Sequence, residues 1–229
     1  MKTLSAFVVV LLAFSSAPAQ LTLVETGGTF RTDAANLAFT ATVVSEGDYG
    51  GVHVAANVAD GIYGNSHSWL GPTNRNYGFI VLGFSSPITI GSIAFGRDNT
   101  GVYPDRTFGA YEIEYSVSYV PGEAPFSSGF GWASLQNLDY AASPPADPAL
   151  RHLYNLNSPL ANVTGLMITV PSFRHSESFE SGYEAMVIDE IEVYATAYSA
   201  VPEPSTYAAL FGACVLGFAA WQRRRRSPA

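Results

Sequence analysis

Cysteine is almost missing from this chain, with only Cys214 among 229 residues. Lysine is as rare, with Lys2 alone. Between residues 20 and 200 there is neither, and 6 arginines face 18 acidic residues, a net charge of about −12. The whole chain carries only −8, because Lys2 and Arg223 to Arg226 sit at its ends. Each shortage excludes something. Without cysteine the central segment has no disulfide framework and no thiol chemistry. Without clustered Lys and Arg it has no surface for nucleic acid. Helical periodicity is nearly absent as well, which removes bundles and coiled coils.

What is present begins at the two ends. Met1 to Ala19 has a positive start at Lys2, an apolar stretch from Ala6 to Phe14, and the small-residue site Ala17-Pro18-Ala19. That pattern predicts a secretory signal peptide, with a mature chain starting near Gln20. At the other end, Pro202 and Pro204 stop any preceding strand, because proline lacks the N–H a ladder needs. An uncharged run from Thr206 to Trp221 follows, then Arg223 to Arg226. The run spans roughly 24 Å as a helix, against about 30 Å of bilayer hydrocarbon. Trp221 at the interface and snorkelling arginines make up the difference, and the arginine block holds that end on the cytoplasmic side. A body of 181 residues, Gln20 to Ala200, lies between these addresses and suits one domain.

Short stretches rich in β-branched and aromatic residues recur through the body between Gly, Pro, Asn and Asp. They predict an all-β antiparallel sandwich or barrel. Strands are expected at Leu37 to Val44, Tyr77 to Phe84, Thr89 to Phe95 after a Ser85-Ser86-Pro87 turn, Tyr111 to Tyr119, Val163 to Val170 and Met186 to Tyr194. In the fourth, Tyr111, Ile113, Tyr115, Val117 and Tyr119 share one face, with Glu112 and Glu114 on the solvated side. In the last, Ile188, Glu190, Glu192 and Tyr194 share one face. Val120 to Pro148 carries five prolines among Phe126, Phe130 and Trp132, and reads equally as a long binding loop or a plain insertion.

Two resemblances follow from these residues. Val201-Pro202-Glu203-Pro204, the apolar run and the terminal arginines, in that order, resemble the PEP-CTERM sorting signal of Gram-negative bacteria. That resemblance implies recognition by an exosortase, transient anchoring in the inner membrane, and delivery to the cell surface or extracellular matrix. The body resembles the discoidin-like, galactose-binding-fold family, a jelly roll that includes many carbohydrate-binding modules. Ala59-Asp60-Gly61 with Asn65, Ser68 and Trp69 matches its early loop. Arg106 before Tyr111 to Ser116 matches its middle strand, and Glu190-Ile191-Glu192-Val193-Tyr194 its final strand. The family's hairpin after the middle strand is replaced here by Val120 to Pro148, with Trp132 as the displaced tryptophan.

In that family the early loop and final strand meet at a structural Ca²⁺, which implies Asp60, Asn65, Ser68 and Glu190 as ligands. The residue types suit a cation that takes six to eight hard oxygens. Trp69 reads as core, and Arg106 as a structural arginine paired with an acid. A sugar site needs aromatic faces and a few directional polar groups. Arg97, Asp98, Asn99 and Tyr103 offer these on one loop, with Tyr63 and His67 at the same end. Catalytic signals are poor. The histidines show no metalloprotease spacing, and no nucleophile elbow is present. The leading expectation is a non-catalytic module that binds exopolysaccharide or another matrix glycan. The alternative is a structural or adhesive matrix protein without a small-ligand pocket, and a glycan hydrolase comes third.

Overall fold

The computed structural model describes residues 21–71, 77–97, 110–127, 129–139, 151–171, 187–199, 211–218 and 221–222. The predicted signal peptide, Asp98, Asn99, Tyr103, Arg106 and Val201 to Pro204 lie outside them. The chain divides into two units, Met1–Ala197 and Tyr198–Ala229. In the second, residues 211–218 and 221–222 are helical and Cys214 is exposed. Among the described residues no helix is long and apolar enough to cross a membrane.

The first unit is an antiparallel sandwich built on two long strands. They are β4 (Tyr77–Gly96) and β7 (His152–Pro171), 20 residues each. Their early and late halves pair in two separate stretches. Around Tyr77–Gly83 and Gly165–Pro171 they are flanked by β2 (Thr42–Ser45) on one side and β5 (Ala110–Ser116) on the other. Then β6 (Ala133–Asp139) pairs with β5. Around Ser92–Gly96 and His152–Asn155 the flanking strands change to β9 (Glu190–Tyr194) and β1 (Leu21–Thr26). A two-stranded sheet of β3 (Trp69–Leu70) and β8 (Val187–Ile188) completes the unit. One core lies between the layers, from Ile80, Leu82, Ile90 and Ile93 to Trp69, Ile113, Leu166 and Val193.

Several elements differ from the sequence expectation. Residues Leu37–Thr40 form a 3₁₀ turn, not a strand. The Asn36 Oδ1 accepts from both Ala38 N (3.0 Å) and Val193 N (2.9 Å), and so fixes a turn at the strand's expected start. No turn forms at Ser85-Ser86-Pro87, since β4 runs through it. Pro87 falls where the register shifts, between Gly83 and Ile88, so its missing N–H costs no ladder bond. Asn162, at φ 60°, falls in β7 at the next shift, between the Ile88–Val163 and Ile90–Leu160 pairs. The strand from Tyr111 ends at Ser116 and leaves Val117 exposed. The last strand is broken at Asp189, whose N–H bonds Gly96 O at 2.9 Å. Every residue from Val187 to Tyr194 is buried, Glu190 and Glu192 included.

Part of the Val120 to Pro148 stretch is now placed. Ala133–Asp139 is β6, and the residues before it fold over the outer face of β4 and β7. There Tyr119 joins Phe79, Val81 and Met167, with Phe130 and Trp132 packed against them. Gly83 and Gly165 face each other across the ladder and make room for this flap. A Cβ on Gly83 would sit 2.9 Å from Pro121 Cα, and one on Gly165 would sit 2.8 Å from Tyr119 Cβ. Trp132 Nε1 donates to Pro125 O, and Ser116 and Ser118 hydroxyls both donate to Phe130 O.

A buried ion pair ties the strands together at one end. Arg151, fully buried, donates through Nε and Nη2 to the two oxygens of Glu192, at 2.5 and 2.8 Å. Its Nη1 reaches Glu25 Oε1 at 2.6 Å and Gly27 O at 3.3 Å. Thus β1, β7 and β9 share one guanidinium. Burial alone would lower the Arg151 pKa. The hydrogen bonds and charge of Glu192, with Tyr63 and Glu25, outweigh it and raise the pKa.

Two outcomes are expected. Gly165→Val should drive the flap off its sheet at a cost of about 1–3 kcal/mol, read as a lower urea midpoint with a red-shifted tryptophan emission. Arg151→Met strands Glu192 in the core and should cost about 3–5 kcal/mol. Pairing it with Glu192→Leu should recover much of that loss in a double-mutant cycle. Equal loss in the double variant would show that the charge was not what the core lacked.

Candidate functional site

The Arg151–Glu192 pair is the floor of a set of loops. Glu192 also accepts from Tyr63 Oη (2.7 Å) and from Tyr194 Oη. Burial first, then the Glu192 charge, raises both phenol pKa values, so both phenols remain donors. Tyr194 Oη in turn accepts from Arg31 N, and the Arg31 guanidinium lies 4.6 Å over the Tyr194 ring. Arg31 forks onto both oxygens of Asp33 and bonds Ser92 Oγ and Thr196 O. The segment after β1 is thereby fastened over the final strand.

The early loop is fastened beside it. Asp60 follows a 3₁₀ turn, Ala55–Ala59, whose Val58 enters the core. Gly61, at φ 84°, donates its N–H to Glu190 Oε2 at 3.0 Å, and Gly64 N donates to Asp189 Oδ2 at 3.1 Å. Asp60 accepts from Ile62 N through Oδ1 and meets His67 Nδ1 at 3.0 Å through Oδ2. Ser68 is buried, and its Oγ donates to Asn65 O and meets His53 Nδ1. Arg97 is buried at the base of its loop. Its Nη2 donates to Asn65 Oδ1 at 2.9 Å, and its Nε lies 3.5 Å from Asp189 Oδ1. Trp69 is buried, with Nε1 on Gly47 O.

Glu190 is fully buried, and its Oε1 has no hydrogen-bond partner. Burial, with the charges of Asp60 and Glu192, pushes its carboxyl up to about 9 against the pull of the Gly61 N–H. Glu190, on the last strand, thus accepts from the residue that follows Asp60 on the loop. The Asn65 and Ser68 side chains are taken by Arg97 and His53. Among the described residues no three His, Cys, Asp or Glu side chains gather as a metal cluster. Both Asp60 oxygens are engaged, by Ile62 N and His67 Nδ1, so Glu190 Oε1 is the side-chain oxygen of the expected set left without a partner, and it is of the hard type calcium takes.

Aromatic rings crown this end. Phe30 lies 5.3 Å from the Tyr63 ring and 6.2 Å from Phe39. Phe39 is 53% exposed, with its inner edge against Gly61, where a Cβ would come within 3.3 Å of Cζ. The His67 side chain is 45% exposed and is oriented by Asp60. Of the predicted sugar contacts, Tyr63 packs against Phe30 here, and His67 lies on the same loop, held by Asp60. Arg97 lies beneath, holding the loop. Phe30 and Phe39 were missed by sequence reasoning. Phe30 has no periodic neighbours, and Phe39 alternates as a strand residue would.

No curated protein matches the sequence. Solved structures share the body's fold. One is the family 32 CBM from C. perfringens NanJ in complex with galactose, at 15% identity and a TM-score of 0.50, covering 70% of this chain and 98% of that one. Another is a Ruminococcus gnavus GH29 fucosidase variant in complex with fucose, at 17% identity and 0.50, covering 71% of this chain but 27% of the enzyme. At these identities the likeness is one of fold. The C-terminal end matches a family model directly. Residues 200–225 are a PEP-CTERM protein-sorting motif, and the body ahead of them has the discoidin-like sandwich fold of carbohydrate-binding modules.

Proposed function

We propose that this protein is an exported, non-catalytic carbohydrate-binding module, delivered by its sorting motif to the cell surface to hold a matrix glycan such as an exopolysaccharide. The observation that carries the reading is the grouping of Phe30, Phe39 and Tyr63 at one loop end. A pyranose stacks its apolar face on such rings while polar groups fix its orientation. Phe39 offers an exposed face against Gly61, and His67, steered by Asp60, offers a directional contact from the same loop as Gly61. The galactose-bound NanJ module gives the fold a precedent in sugar binding. The signal peptide predicted at Met1 to Ala19 supplies export, and an exosortase acts at Val201 to Pro204 while the Thr206 to Trp221 segment sits in the inner membrane.

The same reading includes a structural Ca²⁺ between the early loop and β9. Asp60 and Glu190 hold it with loop backbone oxygens, and the ion takes the place of the proton that burial otherwise keeps on the Glu190 carboxyl. Its role is to fix Gly61 and hence the seat of Phe39.

Two measurements test this. On a glycan array the protein should bind a subset of polysaccharides. Phe39→Ala should weaken that binding roughly tenfold while leaving the melting temperature nearly unchanged, as for an exposed residue. Binding that is indifferent to Phe39 would move the site elsewhere. For the ion, saturating Ca²⁺ after EDTA should raise the melting temperature by about 5–10 °C, from roughly 2.7 kcal/mol of linkage at a hundredfold excess over Kd. Glu190→Gln should abolish the shift. A melting temperature blind to both EDTA and Ca²⁺ would remove the metal.

A further inference from the structure

The chain leaves the body just past Tyr194, the end of β9, and there it is held. Thr196 is exposed, yet its carbonyl oxygen accepts from Arg31 Nη1 at 2.8 Å and from Ser92 Oγ at 2.9 Å. Its Oγ1 accepts from Arg31 Nη2 at 3.3 Å. Gly91 on β4 lets the exit lie this close. A Cβ there would sit 2.5 Å from the Thr196 carbonyl carbon and 2.7 Å from Ala197 N. The residue before Arg31 is Phe30, whose ring lies 5.3 Å from that of Tyr63. The backbone between them is fixed as well, since Arg31 N donates to Tyr194 Oη at 3.1 Å. One dipeptide thus has its ring in the aromatic cluster and its guanidinium on the segment that leads to the sorting motif.

From this geometry we infer that Arg31 is a positioning residue that couples the tail exit to the ring cluster, so that glycan affinity depends on whether Thr196 is seated. This rests on the sugar-binding reading of the Phe30–Phe39–Tyr63 end and names a control on the same site. The argument is one of shared bonds. Phe30 has no polar group in its side chain, so its place follows from Tyr63 on one side and Arg31 on the other. When the exit lifts from Gly91, Arg31 loses both its bonds to Thr196, and Ser92 loses its own. The fork onto Asp33 remains, but that carboxylate is 56% exposed, and an ion pair open to water holds a side chain weakly. The seat of the guanidinium therefore depends on the exit. Such coupling is reciprocal: a sugar that holds Phe30 in place also holds Thr196 down. A body moored by its tail and gripping a glycan at its rings is loaded at both points, and Arg31 joins them.

The test uses the full-length protein in a polyoxyethylene detergent, with oligosaccharides of galactan, chitosan and hyaluronan as probes. Amide hydrogen exchange is followed in peptides covering residues 28–33 and 195–199, and affinity by titration. In the wild type, a probe that protects 28–33 should also slow exchange at 195–199 by about fivefold or more, the lower end of ordinary coupling between sites. Arg31→Gln should weaken that probe by about fivefold or more and remove its effect on 195–199. Gly91→Ala pushes on the exit from beneath and leaves Arg31 and every ring unchanged, so it should do the same where Arg31→Gln fails to fold. A purely structural part would lower the melting temperature and leave the exit indifferent to sugar. Protection at 28–33 with exchange at 195–199 unchanged overturns the inference and leaves sugar binding standing. So does full affinity in Gly91→Ala when its 195–199 segment exchanges faster. Binding of no probe, or binding that leaves 28–33 unprotected, overturns the reading of the ring cluster and this inference with it.

Discussion

The fold of the loop end depends on one buried contact, the fork between Arg151 and Glu192. Two charges leave water to make it, and such pairs add little net stability over apolar residues of the same size. What this one adds is position. Glu192 has two oxygens and receives Arg151, Tyr63 and Tyr194, so its surroundings are fully specified. Tyr63 brings the early loop, Tyr194 brings Arg31 and the segment after β1, and Arg151 itself binds Glu25. An apolar replacement would fill the space but would not say which loop goes where. Phe30 and Phe39, with no polar anchor of their own, inherit their places from this arrangement.

The candidate calcium pair lies next to that floor and follows a different logic. Glu192 is saturated with donors, whereas its neighbour two residues earlier has one oxygen bonded and one bare. Both alternate onto the same side of β9. The strand therefore carries one carboxylate completed by the protein and one carboxyl with a bare oxygen, which burial keeps as the neutral acid.

The sequence made the class of fold and the C-terminal sorting motif legible, because their signals are local. Period-two alternation and turn residues name strands, and an apolar run before four arginines names a sorting tail. The early loop and Glu190 were also readable together, through the order of motifs along the chain. What was not readable depends on contacts between distant residues. The 3₁₀ turn at Leu37–Thr40 forms because Asn36 also caps Val193, 157 positions away. The unbroken course of β4 through Pro87 depends on a register shift against β7. The burial of Glu192 depends on Arg151, an arginine that no motif marked, while the motif pointed to Arg106. Polar residues alternating on a final strand look solvated until the partner charge is known.

The burial of Arg31, Arg97 and Arg151 has a second consequence, for durability. Proteases of the trypsin type cleave after lysine or arginine and need the chain to open around that residue. Among the described residues of the body, every such position is folded under a carboxylate, and the body has no lysine at all. A protein sent outside the cell meets proteases without chaperones to repair it. Here the bonds that arrange the loops also withdraw, at Arg31, Arg97 and Arg151, the sites at which such an enzyme would begin.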